Sequence, residues 1–169
     1  MNYHDIKHDD MNNGDGLRVT LFVSGCEHHC PHCQNPQTHP YNSGIKFDES
    51  AVKEIYNELD KDYISGITLS GGDPLAPQNR YSIFCLVKDI KERYPNKTIW
   101  LYTGYQYEQL LFEGKFDVVY ILKNCDVVVD GKYIDEKRDV SLKWRGSSNQ
   151  RVLDMKKCID TGREVLYCD

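Results

Sequence analysis

The sequence predicts an α/β fold in which short strands alternate with amphipathic helices. Three observations indicate this class. The chain has 169 residues, enough to bury a core without disulfide bonds, so we expect residues 1–169 to form a single domain. Segments of β-forming residues are separated by helical patterns, as in βαβ units with a mainly parallel sheet. Most of the predicted strands end in turns that contain glycine or aspartate.

The first half of the chain contains two predicted strands and one predicted helix. Leu17–Val23 is rich in β-forming residues and ends at a Ser-Gly turn. A loop with several prolines follows, and Asp48 then caps a helix. Ile64–Leu69 is the second strand, ended by Ser70-Gly71-Gly72. The apolar face of the helix consists of Val52, Ile55, Tyr56 and Leu59.

The second half continues the alternation. Asn79 is the predicted cap of a second helix, and Thr98–Tyr102 is the third strand. A helix around Gln106–Phe112 and a buried strand at Cys125–Val129 follow. The remaining strand candidates are Arg151–Met155 and Glu164–Cys168. Because ligands of such folds bind beyond the carboxyl ends of the parallel strands, we expect the functional site at that edge.

Charge and hydropathy exclude several classes of function. Lys and Arg number 21 against 26 Asp and Glu, a net charge of −5, and no basic run is long enough to bind nucleic acid or an anionic membrane. The longest apolar stretch, Val118–Leu122, is far shorter than the roughly 20 residues of a transmembrane helix. The polar N-terminus MNYHDIKHDD resembles neither a signal nor a transit peptide. We therefore expect a cytoplasmic protein without nucleic-acid or membrane partners.

Three of the seven cysteines, Cys26, Cys30 and Cys33, form a C-x3-C-x2-C motif. Three cysteine ligands would leave one iron of a [4Fe–4S] cluster free to bind a substrate. Two alternatives remain open on spacing alone. One is a structural zinc site of Cys3His type, and the other is a thioredoxin-like pair of Cys30 and Cys33. The candidate histidine ligands for zinc are His28, His29, His32 and His39. Apart from that alternative, we expect His28 and His29 to be solvated loop residues.

The other four cysteines stand singly and predict no second cluster. They lack a nearby cysteine with ligand spacing, and buried single cysteines are common in protein cores. We expect structural roles for Cys85, Cys125, Cys158 and Cys168.

Several further motifs follow the cysteine loop in a characteristic order. They are Gly71-Gly72-Asp73-Pro74, Tyr102-Thr103-Gly104, Val127–Gly131 and Arg145–Arg151, the last reading RGSSNQR. Together with the C-x3-C-x2-C motif, this order resembles the radical S-adenosylmethionine (radical SAM) superfamily. Within it, the chain resembles the activating proteins of anaerobic (class III) ribonucleoside-triphosphate reductases over essentially its whole length.

The resemblance implies a partial (βα) barrel that holds a [4Fe–4S] cluster and SAM at the carboxyl ends of its strands. Cys26, Cys30 and Cys33 would bind the cluster. The GGDP motif, residues 71–74, would hold the SAM ammonium group, although the superfamily more often has Glu at the position of Asp73. On the same basis His32 would line the adenine, Asp130 would help to bind a monovalent cation beside SAM, and the ribose and adenine side would be met by Tyr102, Thr103 and Gly104.

The resemblance also implies an activity and partners. The protein would cleave SAM reductively to a 5′-deoxyadenosyl radical and generate a glycyl radical on the large subunit of the reductase. Its electrons would come from a low-potential donor such as flavodoxin. The alternatives are a radical SAM enzyme acting on a small molecule and a non-catalytic zinc-binding interaction module. Arg18 fits either a strand-edge charge or a place under the cluster loop, and Arg145–Gln150 fits either the SAM carboxylate or the protein partner.

Overall fold

A seven-stranded open sheet forms the centre of the protein in a computed structural model that describes residues 1–168. The spatial order of the strands is β3-β1-β2-β4-β5-β6-β7. In chain order the strands are β1 (Asn2–Asp10), β2 (Arg18–Val23), β3 (Ile45–Lys46), β4 (Gly66–Gly71), β5 (Thr98–Tyr102), β6 (Val127–Asp130) and β7 (Arg151–Asp154). The helices are α1 (Glu49–Leu59), α2 (Arg80–Arg93), α3 (Tyr107–Glu113), α4 (Phe116–Asn124) and α5 (Met155–Thr161).

The four central strands β2, β4, β5 and β6 run parallel, as the alternating pattern predicts. Antiparallel strands flank them on both sides, β1 next to β2 and β7 next to β6. The α/β class is therefore confirmed, and the sheet is open, with β3 and β7 as its outermost strands. None of the helices within residues 1–168 is long and apolar enough to cross a membrane.

The edges of the sheet differ from the sequence prediction. Strand β1 was not predicted, because most of its residues are polar or charged and do not alternate with apolar ones. Only Tyr3, Ile6 and Asp10 of this strand are buried. The segment Glu164–Cys168 is not a strand and makes a single bridge to β7. Helices α4 and α5 also lie outside the predicted elements.

The two faces of the sheet have different cores. One face packs on the helices through alternate strand residues such as Leu21, Leu69 and Leu101. The opposite face carries Trp100 and a smaller cluster of valines. On this second face Arg18 is fully buried, and its guanidinium donates to Thr68 and Thr98 and to main-chain carbonyls. Burial lowers the pKa of Arg18 to about 10. Its hydrogen bonds connect β2 to β4 and β5.

The predicted helix caps gave different outcomes. Asp48 caps α1, since its side chain accepts hydrogen bonds from the amides of Ser50 and Ala51. Asn79 precedes α2 but does not cap it. Its side-chain amide donates instead to the carbonyls of Ser24 and Asp73, at 2.8 and 3.0 Å. Asn79 therefore joins the turns that follow β2 and β4, where the candidate site lies.

Candidate iron–sulfur site

The cysteine loop between β2 and β3 is anchored to the turn that follows β4. The amide of Gly72 donates to Val23 O (2.7 Å), and the amide of Asp73 donates to Gly25 O (2.8 Å). Within the loop, Gly25 and Cys26 donate to the carbonyls of Thr38 and His39. These main-chain hydrogen bonds, together with those of the Asn79 side chain, fix the first cysteine against the GGDP turn.

The glycines of this turn are required by close main-chain contacts. A Cβ atom on Gly72 would lie 2.6 Å from Gly25 O, and one on Gly71 would lie 2.6 Å from Val23 N. Gly71 also has a φ of +99°, a main-chain conformation that residues other than glycine rarely adopt. Any larger residue would push the cysteine loop away from β4.

A cavity of about 320 Å³ opens at the carboxyl ends of the parallel strands. This volume is in the range of small-molecule sites. Its walls contain all three cysteines of the motif together with the ends of β4 and β5. The sequence-predicted residues that line it are Cys26, Cys30, Cys33, Gly71, Gly72, Tyr102, Thr103 and Gly104.

Asp73 lies behind this cavity and not on its wall. Its side chain is 1 % exposed and accepts hydrogen bonds from Thr103 Oγ1 (3.0 Å to each oxygen) and from the amides of Gly104 (2.9 Å) and Leu75 (2.8 Å). His28 Nε2 lies 2.7 Å from Asp73 Oδ2. The carboxylate thus connects the cysteine loop, its own turn and the end of β5.

His28 is the main residue of the loop that sequence reasoning placed wrongly. Its position between two cysteines suggested a solvated loop residue, whereas its side chain is only 7 % exposed. The ring packs edge-on against Tyr105, with centroids 4.5 Å apart, and a Cβ on Gly104 would lie 2.3 Å from it. Asp73, 45 positions away, provides the partner, and no local signal reveals that contact.

Three other sequence-predicted residues do not line the cavity. His32 is 77 % exposed and lies 3.9 Å from Asp135, while Pro74 is buried beside Asp73. Asp130 ends β6 with its carboxylate bound by Arg151 through both Nε and Nη2, and the amide of Tyr107 donates to it as well (2.8 Å). The neighbouring Gly131 lines the cavity in its place.

The chemistry of the thiols differs from that of a reactive dithiol. Burial raises the pKa of Cys26 to about 11 and also raises the pKa of Cys30. A nucleophilic cysteine needs a lowered pKa, so the environment of Cys30 does not favour the thioredoxin-like alternative. Within residues 1–168 no three His, Cys, Asp or Glu side chains are grouped as ligands of one ion.

The remaining four cysteines are not part of the cavity wall. Cys125 and Cys158 are buried in the helix-side core, and Cys85 and Cys168 are half-buried. All four belong to the described part of the chain, and none of them lines the cavity.

The segment between β6 and β7, residues 131–150, forms another wall of the cavity, and sequence analysis did not predict its position. Tyr133, Trp144, Arg145 and Gln150 all line the cavity from this side. The run of polar residues in RGSSNQR indicated a functional loop. Its place at the cavity could not be predicted, because that place depends on the pairing of β7 with β6.

Fold and site together define an α/β domain whose cavity is lined by three cysteines with the spacing of iron–sulfur ligands. The sequence model of the 4Fe-4S single cluster domain family matches residues 12–153. The chain is 46 % identical over 152 residues to the anaerobic ribonucleoside-triphosphate reductase-activating protein of Enterobacteria phage T4, covering 90 % of this chain and 93 % of that protein. The proteins of that name from Escherichia coli strain K12 and Haemophilus influenzae are 47 % and 43 % identical over 154 residues, covering 90 % of this chain and 97 % of each relative.

The chain belongs to the family of anaerobic ribonucleoside-triphosphate reductase-activating proteins. The match covers the cysteine loop, the GGDP turn and the segment between β6 and β7 alike.

Proposed function

We propose that this protein cleaves SAM with electrons from a [4Fe–4S] cluster and installs a glycyl radical on an anaerobic ribonucleoside-triphosphate reductase. The observation that supports this most is the shared cavity. Three cysteines with cluster spacing line it together with the glycine turn after β4 and the end of β5. The reductase is proposed as the partner because the relatives are named as its activating proteins.

The residues present fit a three-cysteine cluster with a ligand beside it. Three thiols face the cavity, and no Asp or Glu among the described residues lines it, as suits a group whose sulfur ligands are anionic. When bound, the cluster and SAM supply a low-potential electron and a 5′-deoxyadenosyl radical that abstracts hydrogen from the glycine Cα. The protein's own task is to orient SAM and to exclude water from the site.

The turn after β4 is proposed to hold the methionine half of SAM, with its ammonium group against Gly71 and Gly72. Asp73 would contribute as a positioning residue, because it fixes His28, Thr103 and Gly104, which do line the cavity. Tyr102 and Thr103 would then face the adenosyl half. For His32 and Asp130 the positions described above favour roles outside the SAM contacts.

The substrate is proposed to be a glycine-bearing loop of the reductase, with a flavodoxin-like protein as electron donor. Holding the glycine Cα against the 5′ carbon makes hydrogen transfer effectively intramolecular.

Anaerobic reconstitution tests the proposal. We expect the wild-type protein to bind four irons per chain, the content of one [4Fe–4S] cluster, and to give a cluster signal by electron paramagnetic resonance after reduction. Cys26→Ala, Cys30→Ala and Cys33→Ala should each lose that signal. Cys85→Ala and Cys168→Ala are the matched controls, since both residues are half-buried and outside the cavity.

The second part of the experiment adds SAM and the reductase. A persistent organic radical on the larger protein, lost when its radical-site glycine is replaced by alanine, is the expected result. Turnover of a small metabolite without any glycyl radical would contradict the proposal, and a colourless protein that binds one zinc ion would contradict the cluster.

A further inference from the structure

Arg145 is the most distinctive cavity residue that the proposed function leaves without a role. It lies in the segment 131–150 and faces the same cavity as the three cysteines. Its neighbour Gly146 lies close to Tyr133 and to the side chain of Gln34, which follows Cys33 in the chain. Arg145 is therefore next to the part of the cavity formed by the last cysteine of the C-x3-C-x2-C motif.

The guanidinium of Arg145 has few partners within the protein. Nη1 donates to the carbonyl of Gln150 (3.2 Å), while Nε is buried and has no hydrogen-bond partner among residues 1–168. Among residues 1–168 no carboxylate forms an ion pair with it. The edge formed by Nε and Nη2, which matches the two oxygens of a carboxylate, is thus unused.

Arginines with a structural role in this protein have their guanidinium groups bonded to several acceptors, unlike Arg145. Arg151 pairs with Glu108 and Asp130, and the buried guanidinium of Arg18 donates to Thr68, Thr98 and main-chain carbonyls. A buried donor without an acceptor costs free energy, so such groups need a specific reason to be retained.

The loop around Arg145 is held in an unusual conformation. Trp144 has a φ of +62°, a strained value for a bulky side chain, and packs edge-on against Trp100 with centroids 5.6 Å apart. On the other side, Gln150 Oε1 accepts hydrogen bonds from the amides of Gly146 and Ser147. These contacts fix the main chain on both sides of Arg145.

The charge of the cavity favours an anionic group at this place. Among the described residues that line the cavity, Lys132 and Arg145 carry a positive charge, and no aspartate or glutamate is present. Lys132 is exposed, whereas Arg145 is partly buried. Among the groups of SAM, the carboxylate is the anion that a planar guanidinium recognises through two hydrogen bonds.

We infer that Arg145 binds the carboxylate of the amino-acid half of SAM. The inference rests on the proposed function, and it assigns the RGSSNQR loop to the cofactor in preference to the reductase.

Equilibrium binding to the reconstituted protein tests this assignment with two ligands, SAM and decarboxylated SAM. Arg145→Gln should weaken SAM binding roughly ten- to hundredfold, the effect of losing hydrogen bonds to a charged group, and leave the affinity for decarboxylated SAM unchanged. Arg145→Lys, which keeps the charge, should give a smaller loss for SAM. Arg138→Gln is the matched control, because Arg138 is exposed on the same segment.

Three outcomes would overturn the assignment: unchanged SAM affinity in Arg145→Gln, an equal loss for both ligands, or a loss of affinity for the reductase with normal SAM binding. If Arg145→Gln fails to assemble the cluster, the comparison of the two ligands in Arg145→Lys decides in the same way. Failure of the proposed function is a separate result, since the wild-type protein would then bind no SAM.

Discussion

Asp73 and Asp130 are two carboxylates that look alike in the sequence and have different surroundings in the fold. Each lies at the carboxyl end of a parallel strand, Asp73 just after β4 and Asp130 as the last residue of β6, and each is 1 % exposed. Asp73 is bound by groups that themselves line the cavity, namely His28, Thr103 and the Gly104 amide. Asp130 is bound by Arg151 and by the amide of Tyr107, away from the cavity.

The register of β7 explains this difference. Asp130 pairs directly with Arg151 across the antiparallel β6–β7 ladder, so its charge is neutralised by the neighbouring strand. The β4 turn has the cysteine loop on one side and the end of β5 on the other, and neither provides a lysine or arginine to Asp73. A carboxylate at a strand end therefore indicates a ligand site only where the adjacent strand does not already hold its counter-ion.

Asp130→Asn should give the largest effect on stability. Removing one member of a buried ion pair costs about 3 kcal/mol or more, and the lower end applies because Glu108 still binds Arg151. Urea unfolding of the cluster-free protein measures this change, with Asp62→Asn at an exposed position as control. SAM affinity of the reconstituted protein should stay within twofold of wild type, and a tenfold loss would return Asp130 to the cofactor site.

Asp73→Asn should give the opposite result, with a roughly tenfold loss of SAM affinity and a change in stability of about 1 kcal/mol. The asparagine carbonyl still accepts from Thr103 and Gly104, but the charge that orients His28 is lost. Equilibrium binding of SAM to the reconstituted variant measures the first effect, and urea unfolding measures the second.

A double-mutant cycle with His28→Ala sharpens this prediction. If Asp73 acts through His28, the two substitutions together should cost less SAM affinity than the sum of their separate effects. Strictly additive losses would instead indicate that Asp73 contacts SAM directly.

The parallel core could be predicted from the sequence because each central strand is a short run of β-forming residues ended by a turn. Val127–Asp130 and Thr98–Tyr102 are clear examples. Strand β1 could not be predicted in this way, since its stability comes from pairing with β2 and β3 and not from its own residues. Helix α4 was missed because its apolar run Val118–Leu122 shows no helical spacing.

In the candidate site, the cysteines and glycines could be placed because spacing and turn chemistry are local properties. The contacts of His28 and Arg145 depend on residues far away in the chain or on a loop conformation such as that of Trp144. Sequence pattern therefore identified the kind of site, and long-range packing determined which polar side chains face it.

The smallest effect is expected at the outer member of the Asp130–Arg151–Glu108 group. Hydrogen bonding to Arg151 lowers the pKa of Glu108, so the ionised carboxylate stabilises the folded state. This contribution is fully present above the ordinary glutamate pKa of about 4.3 and is lost as the pH falls through the lower folded-state value. Because the Glu108 side chain is about half exposed, its worth is below about 1 kcal/mol.

Glu108→Gln should therefore be slightly less stable than wild type at pH 7, and the difference should shrink below about pH 4.3. Urea unfolding of the two cluster-free proteins at pH 7, 5 and 3.5 measures this difference, and the other acidic groups cancel because both proteins share them. A difference that stays constant over this range would show that the ionised form of Glu108 adds nothing to its contact with Arg151. A loss at pH 7 as large as that of Asp130→Asn would contradict the distinction between a buried and an exposed partner of the same arginine.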